Sequence, residues 1–268
     1  MAVGSPETSE AVSDFCLAVL DQIAGRVAIV KPQIALFEQL GWRGIRVLER
    51  VIQAAHERGM LVLLDAKRGD IGATAEGYAV AYLSDSSPMA ADAITVNPYM
   101  GRDAIEPFVR QARESGRGVV VLVRNSNPGA SDYQDLRVGD WTLFEEVAVS
   151  LRSYHDALMG EEAGWSSLCV TTAATRPDDA SKIRAVLPHA LFLVLGYGAQ
   201  GGCLSDTLQG FRPGPGGLEG GIVNSSRSVL YPEAGHTEHA ARWEDAFQRN
   251  LNDVIEALMN AVQTEHVG

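Results

Sequence analysis

Met60-Leu61-Val62-Leu63-Leu64-Asp65-Ala66-Lys67-Arg68-Gly69-Asp70-Ile71-Gly72-Ala73-Thr74 is the stretch that decides the fold. The apolar run from Met60 to Leu64 reads as a fully buried strand. Two acids and two bases follow within the six positions from Asp65 to Asp70, so the charges begin where the strand is expected to end. In a parallel α/β protein that edge is where ligands bind and catalytic groups gather. On a two-residue period Asp65 and Lys67 point the same way, and Asp70 lies beyond them in the turn to the next helix. An isolated Asp-x-Lys is equally what a solvated loop with a capping Asp or Thr presents. The further charges at fixed offsets favour chemistry.

Outward from this stretch the same pattern repeats. Residues 27–30, 93–97, 118–123, 168–172, 191–195 and 221–223 read as further strands, most with polar groups directly after them. Residues 9–23 carry Val12, Phe15, Cys16, Val19, Leu20 and Ile23 at helical spacing, with Thr8 or Ser9 as a cap. Helices are also expected over 37–55, closing at Gly59, and over 75–83, 105–112, 141–158, 177–186 and 243–262. Strands alternating with helices imply a parallel sheet, as a closed barrel or an open doubly wound sheet. Polar strand ends and a glycine loop after the last two strands favour the barrel. The strands number seven, one short of the eight of a closed barrel of this class, and the deficit lies before the first helix.

The 268 residues suit one α/β-barrel domain over 1–268, and no compositional break marks a linker. Hydrophobic residues make up 46% and charged residues 21%, as in a globular protein with a sizeable core. A net charge of −12 with a pI near 4.9 argues against a general basic surface for nucleic acid or anionic membrane, so any phosphate site must be local. Cys16, Cys169 and Cys203 are far apart and show no metal-ligand spacing. Free thiols, no apolar run long enough for a membrane span and no signal-type N-terminus lead us to expect a cytoplasmic protein.

The string Asp65-Ala66-Lys67-Arg68-Gly69-Asp70-Ile71-Gly72-Ala73-Thr74, followed by Tyr78-Ala79, resembles the active-site signature of the orotidine 5′-phosphate decarboxylase family, in its longer bacterial branch. Val30-Lys31-Pro32-Gln33, with Phe37-Glu38 after it, resembles the family's second strand. The resemblance implies a TIM (β/α)8 barrel whose first strand is missing or atypical here. The family's Gly-x-Asp strand has no counterpart, since no acid precedes Glu7. It also implies that Lys31, Asp65, Lys67 and Asp70 form one alternating charged array, with Asp70 and Thr74 reaching the neighbouring site of a homodimer. Apart from the family, alternating charges would keep both lysines and both acids ionised when partly desolvated.

Gly196-Tyr197-Gly198-Ala199-Gln200-Gly201-Gly202 follows a strand, and its small residues would let backbone N–H groups approach an anion. Asn224-Ser225-Ser226-Arg227-Ser228 adds a guanidinium able to grip phosphate bidentately. By resemblance Gln200, Gly201, Gly202 and Arg227 hold the substrate's 5′-phosphate, and Gln200 also bridges to the base. Leu195 stands where the family often has proline. Arg124-Asn125-Ser126-Asn127-Pro128-Gly129 is either a simple polar turn or, by resemblance, the place where Ser126 reads the pyrimidine amide edge. Residues 203–220 would be a lid or a passive insertion.

Decarboxylation at C6 of a pyrimidine leaves a carbanion with no ready electron sink, and no pyridoxal phosphate or thiamine signature is present. Electrostatics would have to supply the stabilisation. The expected function is therefore cofactor-independent conversion of orotidine 5′-phosphate to uridine 5′-phosphate in pyrimidine synthesis, with a small nucleotide as the only partner besides a second copy. A Mg²⁺-dependent sugar-phosphate decarboxylase or synthase of the same superfamily would need further carboxylates at strand ends, and only Glu38 stands near. A non-catalytic nucleotide-phosphate-binding barrel is the third alternative.

Overall fold

The computed structural model describes residues 4–198, 201–231 and 240–264, which divide into two compact units, Met1–Val121 and Leu122–Gly268. The first unit opens with helix α1 (Pro6–Ile23). It starts three residues before the expected position because Ser5, not Thr8 or Ser9, caps it: its hydroxyl accepts from Thr8 N at 3.2 Å, with Pro6 in the first turn. Strand β1 (Ile29–Val30), helices α2 (Ile34–Glu38) and α3 (Trp42–Glu57), strand β2 (Leu61–Arg68), α4 (Gly72–Leu83), β3 (Ala93–Val96), α5 (Arg102–Ser115) and β4 (Gly118–Val121) follow. The single helix expected over 37–55 is thus broken in two. Gly41, at φ +68°, turns the chain, and a Cβ on Gly44 would lie 1.9 Å from Phe37 O, so only glycine lets the two helices pack this closely.

Strands β1, β2, β3 and β4 pair in that order, all parallel. Val62, Leu63, Leu64, Ile94, Val96, Val119, Val120 and Val121 are buried along them. The apolar run ends at Leu64, but the strand does not: β2 continues through Arg68. Between the Leu64↔Ile94 and Arg68↔Val96 pairs β2 advances four residues while β3 advances two. Asp65 and Lys67 therefore sit in a bulge at the carboxyl end of the strand, not in a loop behind it.

The second unit comprises the antiparallel hairpin of β5 (Arg137–Val138) and β6 (Trp141–Thr142), helices α6 (Leu143–Ser150) and α7 (Arg152–Ala157), β7 (Ser166–Ala173), α8 (Pro177–Val186), β8 (Ala190–Leu195), α9 (Leu204–Thr207), the antiparallel pair β9 (Arg212–Gly214) and β10 (Gly217–Glu219), β11 (Gly221–Val223), α10 (Arg227–Leu230) and α11 (Ala240–Thr264). The single helix expected over 141–158 begins only at Leu143, where Thr142 and Glu145 form a capping box, and is broken at Leu151 into α6 and α7. Strands β7, β8 and β11 pair in parallel.

Because β8 and β11 are parallel, the chain must return from the end of one to the start of the other, and residues 203–220 belong to that crossover. Arg184 of α8 fastens it. Its guanidinium lies 3.8 Å over the Phe192 ring and donates to Gly210 O at 2.6 Å, Gly220 O at 2.9 Å and Ala190 O at 2.6 Å. These bonds tie the segment to the entry of β8. Among the described residues the parallel strands are the seven expected, and none precedes α1. No helix is long and apolar enough to cross a membrane among the described residues.

Candidate active site

In the first unit the chain after β1 continues alongside β2. Asp65 N donates to Pro32 O at 2.9 Å, and Gln33 bridges Asp65 in parallel. That register sets Lys31 against Asp65, with Lys31 Nζ 2.7 Å from Oδ2. Lys67 Nζ reaches the other oxygen, Oδ1, at 2.5 Å. One buried carboxylate thus lies between two ammonium groups. Burial by itself would raise the Asp65 pKa, but the Lys31 charge and the hydrogen bonds from Lys31 and Lys67 outweigh it and hold the carboxyl below its usual range. Of the three side chains Lys67 is the accessible one, 43% exposed against 16% for Lys31 and 7% for Asp65.

Lys67 is also the only non-glycine with a positive φ, +47°, among the described residues. Left-handed backbone costs an L-residue on the order of 1–2 kcal/mol. Here the Oγ1 of Thr95 accepts from the backbone N of Ala66 at 2.9 Å and of Lys67 at 2.8 Å. Two such bonds, about 1 kcal/mol each, offset the strain. The same Thr95 hydroxyl donates to Asp65 Oδ1 at 3.1 Å. Thr95 escaped the sequence reading because it lies within an apolar strand; its only signal was a hydroxyl among Ala93, Ile94 and Val96.

Asp70 does not join the array within the chain. Its Oδ1 accepts from Ile71 N at 2.8 Å, and among the described residues it pairs with neither lysine. Within one chain, then, a carboxylate sits between two ammonium groups, and neither ammonium between two carboxylates. Thr74 is exposed in the first turn of α4, beside Ile71, which is 54% exposed. Arg68, the second base of the charged stretch, does not join Asp65. It ion-pairs with Glu38, donates to Tyr82 OH at 3.5 Å and stacks 5.3 Å over the Tyr78 ring. Glu38, the one acid singled out for a metal, is therefore engaged. Among the described residues no three His, Cys, Asp or Glu side chains are grouped to hold a metal ion.

The second unit holds the remaining expected residues. A Cβ on Gly202 would lie 2.5 Å from Ala174 Cβ and 2.9 Å from Gly196 O, which is why glycine stands there. The amides of Gly201 and Gly202 are turned into the loop itself, donating to Gly198 O at 2.8 Å and Gly196 O at 3.2 Å. Gln200 lies outside the described residues. The loop meets the segment after β11: a Cβ on Gly198 would come within 3.5 Å of Ser228 Oγ. Next to Ser228, Arg227 is exposed, and its guanidinium has no side-chain partner among the described residues. Ser126 is half-buried in a turn that Arg124 organises. That arginine, 1% exposed, pairs with Asp135 at 2.6 Å and Asp179 at 2.8 Å, and the Gln134 side chain accepts from Asn125 N at 3.0 Å.

Comparison with known proteins identifies the family. The orotidine 5′-phosphate decarboxylase / HUMPS family profile matches residues 8–208. The chain is 38% identical over 256 residues to an orotidine 5′-phosphate decarboxylase of Rhodopirellula baltica, covering 92% of this chain and 83% of that one. It is 42% identical over 251 residues to the enzyme of that name from an Azoarcus species, covering 92% and 86%. Among solved structures, the OMP decarboxylase of Leishmania donovani superposes with a TM-score of 0.75 at 33% identity, over 94% of this chain and 89% of that one. The fold is accordingly the α/β barrel that the strand pattern led us to expect. The chain belongs to the orotidine 5′-phosphate decarboxylase / HUMPS family.

Proposed function

We infer that this chain is a carboxy-lyase that converts orotidine 5′-phosphate to uridine 5′-phosphate and CO₂, as its curated relatives' names state for them. The observation that carries the reading is Asp65, a carboxylate kept ionised between Lys31 and an exposed Lys67. In this reading the substrate carboxylate is seated against Asp65, which disfavours the bound ground state. When the C6–carboxylate bond breaks, its electron pair stays on C6 and CO₂ departs. The Lys67 ammonium stabilises that charge and transfers its proton from Nζ to C6, later regaining one from solvent. These groups are preorganised where charge develops, and no cofactor is invoked.

Arg227 and Gln200 take the 5′-phosphate, Gly201 and Gly202 shape the loop there through amides that donate to Gly198 O and Gly196 O, and Ser126 takes the pyrimidine edge. Binding energy from the phosphate is used to organise the reacting end. Asp70 and Thr74 serve the neighbouring site of a homodimer, which suits a carboxylate that pairs with neither lysine of its own chain. Three thiols free of one another suit the cytoplasm.

The test is to incubate the purified chain with orotidine 5′-phosphate, with and without EDTA, and to follow CO₂ and uridine 5′-phosphate. Stoichiometric release of both, unchanged by EDTA, is expected. Turnover that EDTA abolishes and Mg²⁺ restores would favour the sugar-phosphate chemistry of the wider superfamily. Binding without turnover would favour a non-catalytic nucleotide barrel.

A further inference from the structure

We propose that Thr95 is the positioning residue for Lys67: one buried hydroxyl fixes both the left-handed backbone of the lysine and the carboxylate on which its ammonium rests. The inference deepens the reading above and depends on Lys67 as the proton donor. Thr95 is 1% exposed, so it acts through its neighbours and not by touching substrate. A threonine hydroxyl offers one proton and two lone pairs, and all three are used here. It donates to Asp65 Oδ1 at 3.1 Å and accepts from Ala66 N at 2.9 Å and Lys67 N at 2.8 Å.

The bulge explains why a side chain does this. Where β2 carries two more residues than β3 between paired positions, the amides of Ala66 and Lys67 have no regular ladder partner. Thr95, on the adjacent strand, replaces the missing carbonyl. Without it the buried N–H of Ala66 and the part-buried N–H of Lys67 would lack an acceptor, and Asp65 would lose one of three side-chain donors. The bulge would then relax, the Lys67 backbone would leave the left-handed region, and the ammonium would swing off Asp65. Valine matches threonine in shape but lacks the hydroxyl, whereas serine keeps the hydroxyl and lacks the methyl.

The test compares Thr95→Val with Thr95→Ser in the full chain. The expected result is a kcat lowered on the order of 100-fold in Thr95→Val with KM within about threefold of the parent, and near-parental kcat in Thr95→Ser. A threonine that merely supported the fold would lower the melting temperature and leave kcat of the folded protein intact. Thr95→Val with kcat within about threefold of the parent, or both variants falling alike, would overturn the proposal. If Thr95→Val does not fold, Thr95→Cys makes the same comparison, its thiol being a weak acceptor.

A crystal structure of the valine or cysteine variant supplies a readout independent of turnover. Lys67 should have left positive φ and Asp65 Oδ1; a left-handed Lys67 still on Asp65 would overturn the proposal. Should the parent chain fail to release CO₂ from orotidine 5′-phosphate, the functional reading fails, and the crystallographic readout still decides the role of Thr95.

Discussion

Lys31 Nζ lies 2.7 Å from Oδ2 of Asp65, the carboxylate oxygen that Lys67 does not touch. The three groups form a charge sandwich whose middle member is buried and whose one accessible end is Lys67.

Replacing Lys31 removes the charge that most favours ionised Asp65. The folded pKa of Asp65 lies below its unfolded value, so the stability it contributes is complete above about pH 3.9 and is lost as pH falls through the lower folded value. In Lys31→Met the folded pKa rises. Both the acid limb of the kcat profile and the acid unfolding midpoint should move to higher pH, with a loss of about 1.5–3 kcal/mol at neutral pH. Rate profiles and urea unfolding across pH check this.

Arg227 is exposed and has no side-chain partner among the described residues, so the fold gains little from it. Arg227→Ala should leave the melting temperature unchanged and lower kcat/KM on the order of 10- to 100-fold, the value of a charge-assisted bond to phosphate. Orotidine, which lacks the phosphate, should be turned over equally poorly by both proteins.

Gly202→Val places a side chain where Ala174 and Gly196 O already lie within 3 Å of a Cβ. The loop must shift, at a cost of about 1–3 kcal/mol. KM should rise more steeply than kcat falls, because the loop we assign to the phosphate is distorted while the Asp65 array is untouched. Steady-state kinetics with thermal melting separate the two effects.

Arg184 donates to five carbonyl oxygens, those of Leu187, Pro188, Ala190, Gly210 and Gly220. Arg184→Leu removes one donor from each; Phe192 N still serves Gly220 O, Ala190 N serves Leu187 O and the Arg212 side chain serves Pro188 O, and a buried carbonyl left with no donor costs about 1–3 kcal/mol. The variant should be strongly destabilised in urea, and limited proteolysis should cut first within residues 203–220. KM of whatever folds should stay near the parent value.

Much of this was legible in the sequence because the strands are apolar runs bounded by charge. The alternation placed all seven parallel strands, and the two-residue period put Asp65 beside Lys67. The reason for that proximity was not legible. Periodicity cannot show a bulge, and Lys67 reaches Asp65 from a left-handed backbone that no propensity assigns to lysine. Thr95 went unnoticed for the same cause, since its role exists only once β3 faces the bulge. The 203–220 segment read as lid or insertion because a crossover becomes visible only when β8 and β11 are known to pair in parallel. Residues 141–158 read as one helix because the β5–β6 hairpin has no apolar alternation of its own.

The central claim is that Lys67 delivers the proton to C6. Its most direct test measures turnover of orotidine 5′-phosphate by Lys67→Ala beside calorimetric binding of uridine 5′-phosphate to the same protein. Turnover should fall at least about 1000-fold while product binding stays within about tenfold of the parent. A Lys67→Ala protein that turns over within about tenfold of the parent would contradict the claim.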